Sequence, residues 1–218
     1  MLKKNSVLLW LAVVSLTACN TAEKKAETVE TTDLVATNDG KAYVVEKNNQ
    51  IKWLGQKLTG KHFGTVAISK GLLFADSNQL TGGSFTLDMN KIEVLDLTDP
   101  GKKADLTDHL KSEDFFSAVL FPEAVFEITG VESLAGPDEA GNNTLVSGDL
   151  TIKGIKQGIR FPATVTFETN KILARAAFEI DRTLWDIKYR SGKFFPELGD
   201  KVISDQIGIS FELYAAQK

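Results

Sequence analysis

IRFPATVTFE (159–168), TN (169–170) and KILARAAFEI (171–180) together read as two strands and a turn. Ile159, Phe161, Ala163, Val165 and Phe167 alternate with Arg160, Thr164, Thr166 and Glu168. After the turn residues, Ile172, Ala174, Ala176, Phe178 and Ile180 alternate with a face that holds Arg175 and Glu179. Side chains on a strand point to opposite faces in turn, so this pattern describes a hairpin with one greasy and one wetted face. A helix would need apolar residues three or four apart instead.

The same period recurs outward along the chain. Phe85, Leu87 and Met89 alternate with Ser84, Thr86 and Asp88. Val146, Leu150 and Ile152 alternate with Ser147, Asp149 and Thr151, and Ile207, Ile209, Phe211 and Leu213 with Gln206, Ser210 and Glu212. Weaker strand candidates lie at 43–46, 50–56, 65–74, 91–97 and 125–131, with Gly82-Gly83, Gly136-Pro137-Asp138 and Gly141-Asn142 as turns. Eight or more short antiparallel strands make an all-β sandwich or barrel. The exception is KADLTDHLKSEDFF (103–116), where Leu106, Leu110 and Phe115/Phe116 fall near helical spacing. A short helix near 104–116 is expected, capping one end of the sheet.

The N-terminus reads as an address. Lys3 and Lys4 precede the apolar run Val7–Leu16, which is too short to span a bilayer. A basic start, a short apolar run and small residues make a secretory signal. The sole cysteine, Cys19, closes Leu16-Thr17-Ala18-Cys19, which resembles the bacterial lipobox, whose cysteine is lipidated after cleavage. Residues 1–18 are then a lipoprotein signal peptide, and their removal takes the formal charge from −4 to −6. Residues 19–40 carry five acids and few large apolar groups, so they are expected to be the lipidated cysteine and a flexible spacer. Residues 41–218 form one domain. Location would be extracytoplasmic and membrane-anchored, at the periplasm, outer membrane or cell surface.

Composition excludes several chemistries. A pI near 5.3 argues against nucleic acid as a partner. One cysteine precludes an internal disulfide, and two histidines 47 residues apart, His62 and His109, do not space as a zinc site. Gly55–His62 nearly matches a phosphate-binding loop, but His62 stands where the Mg²⁺-binding hydroxyl is needed and FGTVAI after it reads as a strand. His109 with Asp108 or Asp114 is the one arrangement suited to acid–base chemistry, and a solvated helix face explains those acids more simply. No catalytic residue, metal ligand or cofactor is assigned. Thirteen phenylalanines against three tyrosines point to rings that need no polar partner.

Several segments together resemble the YceI-like family of bacterial extracytoplasmic proteins. They are Trp53-Leu54-Gly55 with Gly60-Lys61-His62-Phe63-Gly64, Gly83–Asp88, Asp108-His109-Leu110-Lys111-Ser112-Glu113-Asp114-Phe115-Phe116 with Phe121-Pro122 and Phe126, Gly148–Gly154, Ile180-Asp181-Arg182, and Leu198–Val202. Together they run in order from about 42 to 216. Thr107 stands where the family commonly has Arg, and Trp185 and Asp186 where Phe and Gly are usual.

The resemblance implies a lipocalin-like antiparallel β-barrel of about eight strands. Its long apolar cavity would hold a polyisoprenoid or an isoprenoid quinone as ligand, with no settled enzyme activity. On that reading Val66, Ile68, Phe85, Leu87, Phe126, Ile128, Leu150, Ile152, Phe161, Val165, Phe178, Ile209 and Phe211 face inward. Phe63, Phe115, Phe116 and Trp185 are assigned to the rim or capping helix, and Arg182 and His109 to the entrance. Asp181–Arg182 is equally readable as a structural ion pair. The reading admits a homodimer, and leaves open a filled structural or adhesive barrel, or a carrier of another apolar ligand such as a fatty acid.

Overall fold

Eight strand positions close into one antiparallel barrel. The computed structural model describes residues 24–29 and 36–218. The expected signal peptide and the lipobox cysteine, Cys19, lie outside the described residues. In chain order the elements are β1 (Lys24–Lys25), β2 (Glu27–Thr28), β3 (Lys41–Val45), β4 (Gln50–Lys57), β5 (Gly60–Asp76), β6 (Gln79–Val94), α1 (Pro100–Lys111), β7 (Glu123–Ser133), β8 (Thr144–Ile152), β9 (Ile155–Glu168), β10 (Lys171–Asp181) and β11 (Gln206–Gln217). From β5 to β11 each strand pairs with the next, and β11 returns to β5 through β3 and β4. Closure removes the edges of those strands except where β9 and β10 part.

β3 and β4 share one position in the wall. Both pair antiparallel with β11 on one side and β5 on the other. The break between them is clipped by buried Asn49. Its Nδ2 donates to the carbonyls of Glu46 (2.7 Å) and Tyr214 (2.9 Å), and its Oδ1 accepts the Tyr214 N–H (3.0 Å). The amide thus stands in for backbone bonds the break removes.

The barrel ends differ. At the lower end, Ser77-Asn78 and Thr169-Asn170 turn tightly, with Ser77, Asn78 and Asn170 in left-handed backbone conformations. The upper end carries the long connections, residues 95–122 with α1 and residues 182–205 with two short 3-10 turns.

The helix begins earlier than its apolar spacing suggests. Pro100 sits in its first turn, where the missing N–H costs nothing, and Asp99 caps it by accepting the Lys102 N–H at 2.8 Å. It ends at Lys111, so Phe115 and Phe116 lie in the following turn, where the Phe116 N–H reaches the Leu110 carbonyl (3.1 Å). Likewise the strand candidates at 84–90 and 91–97 are one strand, β6, up to Val94.

Residues 19–40 are not spacer throughout. β9 and β10 pair only over their lower halves, from Lys171↔Glu168 to Arg175↔Thr164. Above that they part, and Lys24–Val29 fills the wedge. β1 runs parallel to β10 and β2 antiparallel to β9. The Ala26 N–H donates to the Glu179 carbonyl (2.8 Å) and the Val29 N–H to the Gly158 carbonyl (3.1 Å). Composition alone hides this, because the segment's gain is backbone hydrogen bonds offered by two open strand edges, plus burial of Ala26.

Candidate functional site

The inward faces of the strands enclose a cavity of about 510 Å³, within the range of small-molecule sites. Its floor is buried Leu73, Leu80, Ala163, Val165, Ala174 and Leu213 near the lower turns. Its mouth, at the upper end, is lined by Gln56, Lys57, Gly60, His62, His109, Tyr189 and Arg190. Among the described residues no Asp, Glu, Asn, Ser or Thr lines it.

A belt of phenylalanines crosses the middle. Phe85 and Phe126 lie 6.5 Å apart, Phe126 and Phe161 5.6 Å, and Phe161 and Phe178 4.1 Å, while Phe211 stands edge-on to Phe161 (6.2 Å) and Phe178 (6.5 Å). Five strands thus contribute one ring each. β8 contributes a glycine instead, for a Cβ at Gly148 would lie 2.4 Å from Phe126 Cζ. The missing side chain is what lets Phe126 lie across β8.

The structure brings together most of the residues assigned from sequence. Val66, Phe85, Leu87, Phe126, Ile128, Leu150, Ile152, Phe161, Val165, Phe178, Ile209 and Phe211 all line the cavity, as do His109, Phe115, Phe116, Arg182 and Trp185. Phe63 does not. His62, Gly64 and Val66 share a phase, so Phe63 falls on the outer face, where it is 42% exposed. Ile68 is buried but off the cavity wall, since β5 slips register against β6 on both sides of it. Trp185 is not a rim residue: it is fully buried, and its Nε1–H donates to the Leu150 carbonyl (3.0 Å).

Arg182 is a clamp rather than an entrance group. Its guanidinium donates to the carbonyls of Ser204 (3.0 Å), Ile187 (2.9 Å) and Ile203 (3.1 Å) and to Asp205 (3.2 Å). Burial pushes it below the ordinary arginine value, against the opposing pull of Asp205. Asp181 does not pair with it directly but caps the following turn, accepting the Thr183 N–H (2.9 Å) and hydroxyl (2.6 Å). One side chain thereby pins the 182–205 connection over the barrel end.

Both histidines stand at the mouth, each with an aspartate. His109 Nε2 lies 2.9 Å from Asp114, and its ring meets Phe115 and Tyr189 edge-on at 5.0 and 4.6 Å. His62 Nδ1 lies 2.8 Å from Asp96, which also accepts the Phe63 N–H (3.0 Å). Burial raises the Asp96 carboxyl, but these two hydrogen bonds, with its own backbone N–H and the nearby His62 ring, together outweigh it and hold its pKa below the usual value. The Ser112 hydroxyl donates to the His109 carbonyl (2.8 Å), a turn closure rather than a nucleophile–base contact.

The sequence reading misses Ile51, Trp53, Ile187 and Ile203 on the wall, and puts Ile180 and Ile207 on apolar strand faces without assigning them to the cavity. Ile51, Trp53 and Gly55 alternate with Lys52, Leu54 and Gln56, so the β4 signal was present but short. Ile187 and Ile203 lie on the irregular 182–205 connection, where no period marks a face.

A YceI-like domain model matches residues 37–215. The chain belongs to the YceI-like family. A UPF0312 protein of Photorhabdus laumondii is 31% identical over 143 residues, 60% of this chain and 68% of that protein. BcnA of Burkholderia cenocepacia has a similar crystal structure, with TM-score 0.59 and 20% identity, over 79% of this chain and 99% of that one. A polyisoprenoid-binding domain from Saccharophagus degradans, implicated in plant cell wall breakdown, has TM-score 0.59 and 11% identity over 83% of this chain and 100% of that one. At these identities the two structures share this member's lipocalin-like fold.

Proposed function

We propose that this YceI-like protein is a lipid-anchored extracytoplasmic carrier that holds an isoprenoid lipid or isoprenoid quinone inside its barrel. The observation that carries the reading is the cavity, deep, polar at its mouth, apolar from below the mouth to the floor and crossed by a phenylalanine belt. The polyisoprenoid-binding domain of similar fold supports it. Cys19 would bear the acyl anchor, and two or three chains would hold the protein at a membrane facing an extracytoplasmic space.

The energetics suit carrying. Burying hydrocarbon gains about 0.8 kcal/mol per CH₂, so a five-carbon unit contributes roughly 4 kcal/mol gross relative to water. A long isoprenoid would then exceed the ceiling of about 18–21 kcal/mol for non-covalent binding. The ligand leaves a bilayer rather than water, however, and its chain must be ordered, so exchange with the membrane sits near balance. Such a protein moves or buffers a lipid without trapping it, and needs no catalytic group.

Native mass spectrometry of the protein purified from its host membranes, followed by solvent extraction, tests this. An isoprenoid of defined mass is the expected finding. A fatty acid in its place would reassign the ligand class. No bound lipid and no uptake of added isoprenoid would leave a structural lipoprotein.

A further inference from the structure

Nine large apolar side chains are exposed among the described residues, and seven of them gather at the upper end of the barrel. The other two, Val44 and Tyr214, lie on the outer wall near where β3 and β11 pair. Single exposed apolar residues are ordinary, whereas a gathered set marks an interaction surface.

The set follows an arc around the mouth. Leu58, 86% exposed, sits in the turn between β4 and β5, directly after Lys57 of the mouth. Lys57 bridges to Ile203, and Ile203 in turn to Ser191. The Ser191 carbonyl accepts the N–H groups of exposed Phe194 (3.2 Å) and Phe195 (2.9 Å). Further round, Lys153 of the β8–β9 turn donates to the Asp186 carbonyl (3.3 Å). A Cβ at the adjacent Gly154 would lie 3.1 Å from Phe121 Cε1, which follows exposed Val119 and Leu120.

Positive charge accompanies one side of this arc. Residues 55–64 and 187–196 hold five Lys or Arg and no Asp or Glu, in a chain of formal charge −4. Lys188 pairs with Asp186, but Lys57, Lys61, Arg190 and Lys193 make no ion pair among the described residues. Lys188 and Lys193 lie over the Phe194 ring, at 5.0 and 5.7 Å. Across the mouth, α1 carries both signs, with Lys102 and Lys103 near Asp105 and Asp108. Exposed rings between unpaired cations match the headgroup layer of an anionic bilayer, where each Lys or Arg strengthens binding about fivefold.

We propose that this arc docks the mouth of the barrel on an anionic lipid bilayer, so that an apolar ligand passes between leaflet and cavity without crossing water. The proposal rests on the lipid-carrying reading above and adds the surface at which the ligand is loaded. The length of the N-terminal tether agrees. Lys24 lies opposite Phe178 on β10, and it follows Cys19 by five residues. Five residues reach at most about 17 Å. From Phe178 the upper end of β10, at Asp181, is about 10 Å along the strand, and the lower end, at Lys171, about 23 Å. A lipidated Cys19 thus reaches a bilayer at the mouth and falls short of one at the lower turns.

The mature protein, purified from its host membranes, is reconstituted in vesicles of phosphatidylglycerol and phosphatidylcholine with brominated acyl chains, which quench nearby tryptophan. Phe195→Trp reports on the arc and Val44→Trp on the lower wall. F195W emission should be quenched beyond the wild-type background, and V44W emission should not. Adding K61Q and K193Q, neither of which lines the cavity, should lower the docked-to-undocked ratio read from that quenching. At about fivefold per lysine the drop is about 30-fold. Uptake of added isoprenoid is measured in the same vesicles. Its absence overturns the carrier reading, whereas uptake with equal quenching at both positions, or with none, overturns the docking alone. A dimer in native mass spectrometry that Phe195→Ser dissolves, with no quenching at residue 195, gives the arc to a second copy and overturns the docking too. If Cys19 carries no acyl chain by mass, the same quenching is read on vesicles added to the protein. Should a variant fail to fold, hydrogen exchange in the wild type decides. Amides at 58–61 and 190–195 should slow on anionic relative to pure phosphatidylcholine vesicles, and equal rates overturn the docking.

Discussion

The Phe161 and Phe178 rings stack 4.1 Å apart, within 15° of parallel, where β9 and β10 have already stopped pairing. Continuing the register upward sets these residues opposite each other, so the rings bridge on the inside a seam that the backbone of Lys24–Val29 fills. Phe178→Ala should cost about 3–5 kcal/mol in guanidinium denaturation, the usual range for deleting a buried ring. A much smaller loss would mean that the neighbouring rings collapse into the space.

The segment in the seam is held by few bonds and is separable from the rest. A Cβ at Gly158 would lie 2.4 Å from the Val29 carbonyl oxygen. Gly158→Ala should therefore unseat Lys24–Val29, and hydrogen exchange read by mass spectrometry should show faster exchange at the Ala26 and Val29 amides. Amides of β5 and β6 should keep their protection. Unchanged exchange at Ala26 and Val29 would count against the seating described here.

The glycine in β8 has a different task. At Gly148 the obstacle to a Cβ includes backbone, the Glu127 carbonyl oxygen at 2.6 Å, as well as Phe126. Gly148→Ala should destabilise by about 1–3 kcal/mol, as overpacking does. At roughly 2–4 °C per kcal/mol for a chain this size, the melting midpoint drops by several degrees. Lipid uptake should drop as well, because Phe126 is pushed into the cavity.

Arg182 concentrates the anchoring of one whole connection. Arg182→Met would leave Asp205 and three carbonyls without their donor, a loss of about 3–5 kcal/mol for a broken buried pair. Limited proteolysis should then cut within residues 186–204 well before the barrel strands. Cleavage no faster than in wild type would show that the packing of Ile187 and Ile203 and the backbone bonds of Ile203 and Ser204 hold the connection without the guanidinium.

The lowered pKa of Asp96 sets an acid limit at the mouth. A carboxylate whose folded pKa is depressed contributes stability above its unfolded pKa of about 4, and that contribution is lost as pH falls through the folded value. Wild type should thus lose stability faster than Asp96→Asn as the pH is taken below about 4. Parallel curves for the two proteins would contradict the Phe63 and His62 hydrogen bonds as the cause.

Much of the wall was readable because period-two alternation is a direct image of a two-faced strand. Phe211 is on the cavity side between Ser210 and Glu212, and Phe161 and Phe178 share the apolar phase of strands whose other face carries Arg160, Thr164, Arg175 and Glu179. The errors have the same root. Phe63 was placed by its chemistry when the phase of Val66 already sends it outward, and Ile68 sits where register slips alter how β5 meets its neighbour. Trp53 was part of a resemblance but not of the inward list, since β4 is short and carries Gly55 in its inward row. Arg182 was named, yet three of its four partners are backbone carbonyls, those of Ile203 and Ser204 over 20 residues away, and nothing in a string of letters marks a carbonyl as an acceptor. The N-terminal strand pairing was hidden for the same reason.

That pairing also bears on the order of assembly. Lys24 meets Phe178, and Glu27 meets Arg160, across most of the chain. Contacts between residues so distant in sequence close late and slow the reaction, because chain entropy must be surrendered before they gain anything. The earliest residues of this domain to leave the ribosome are therefore among the last to find their places.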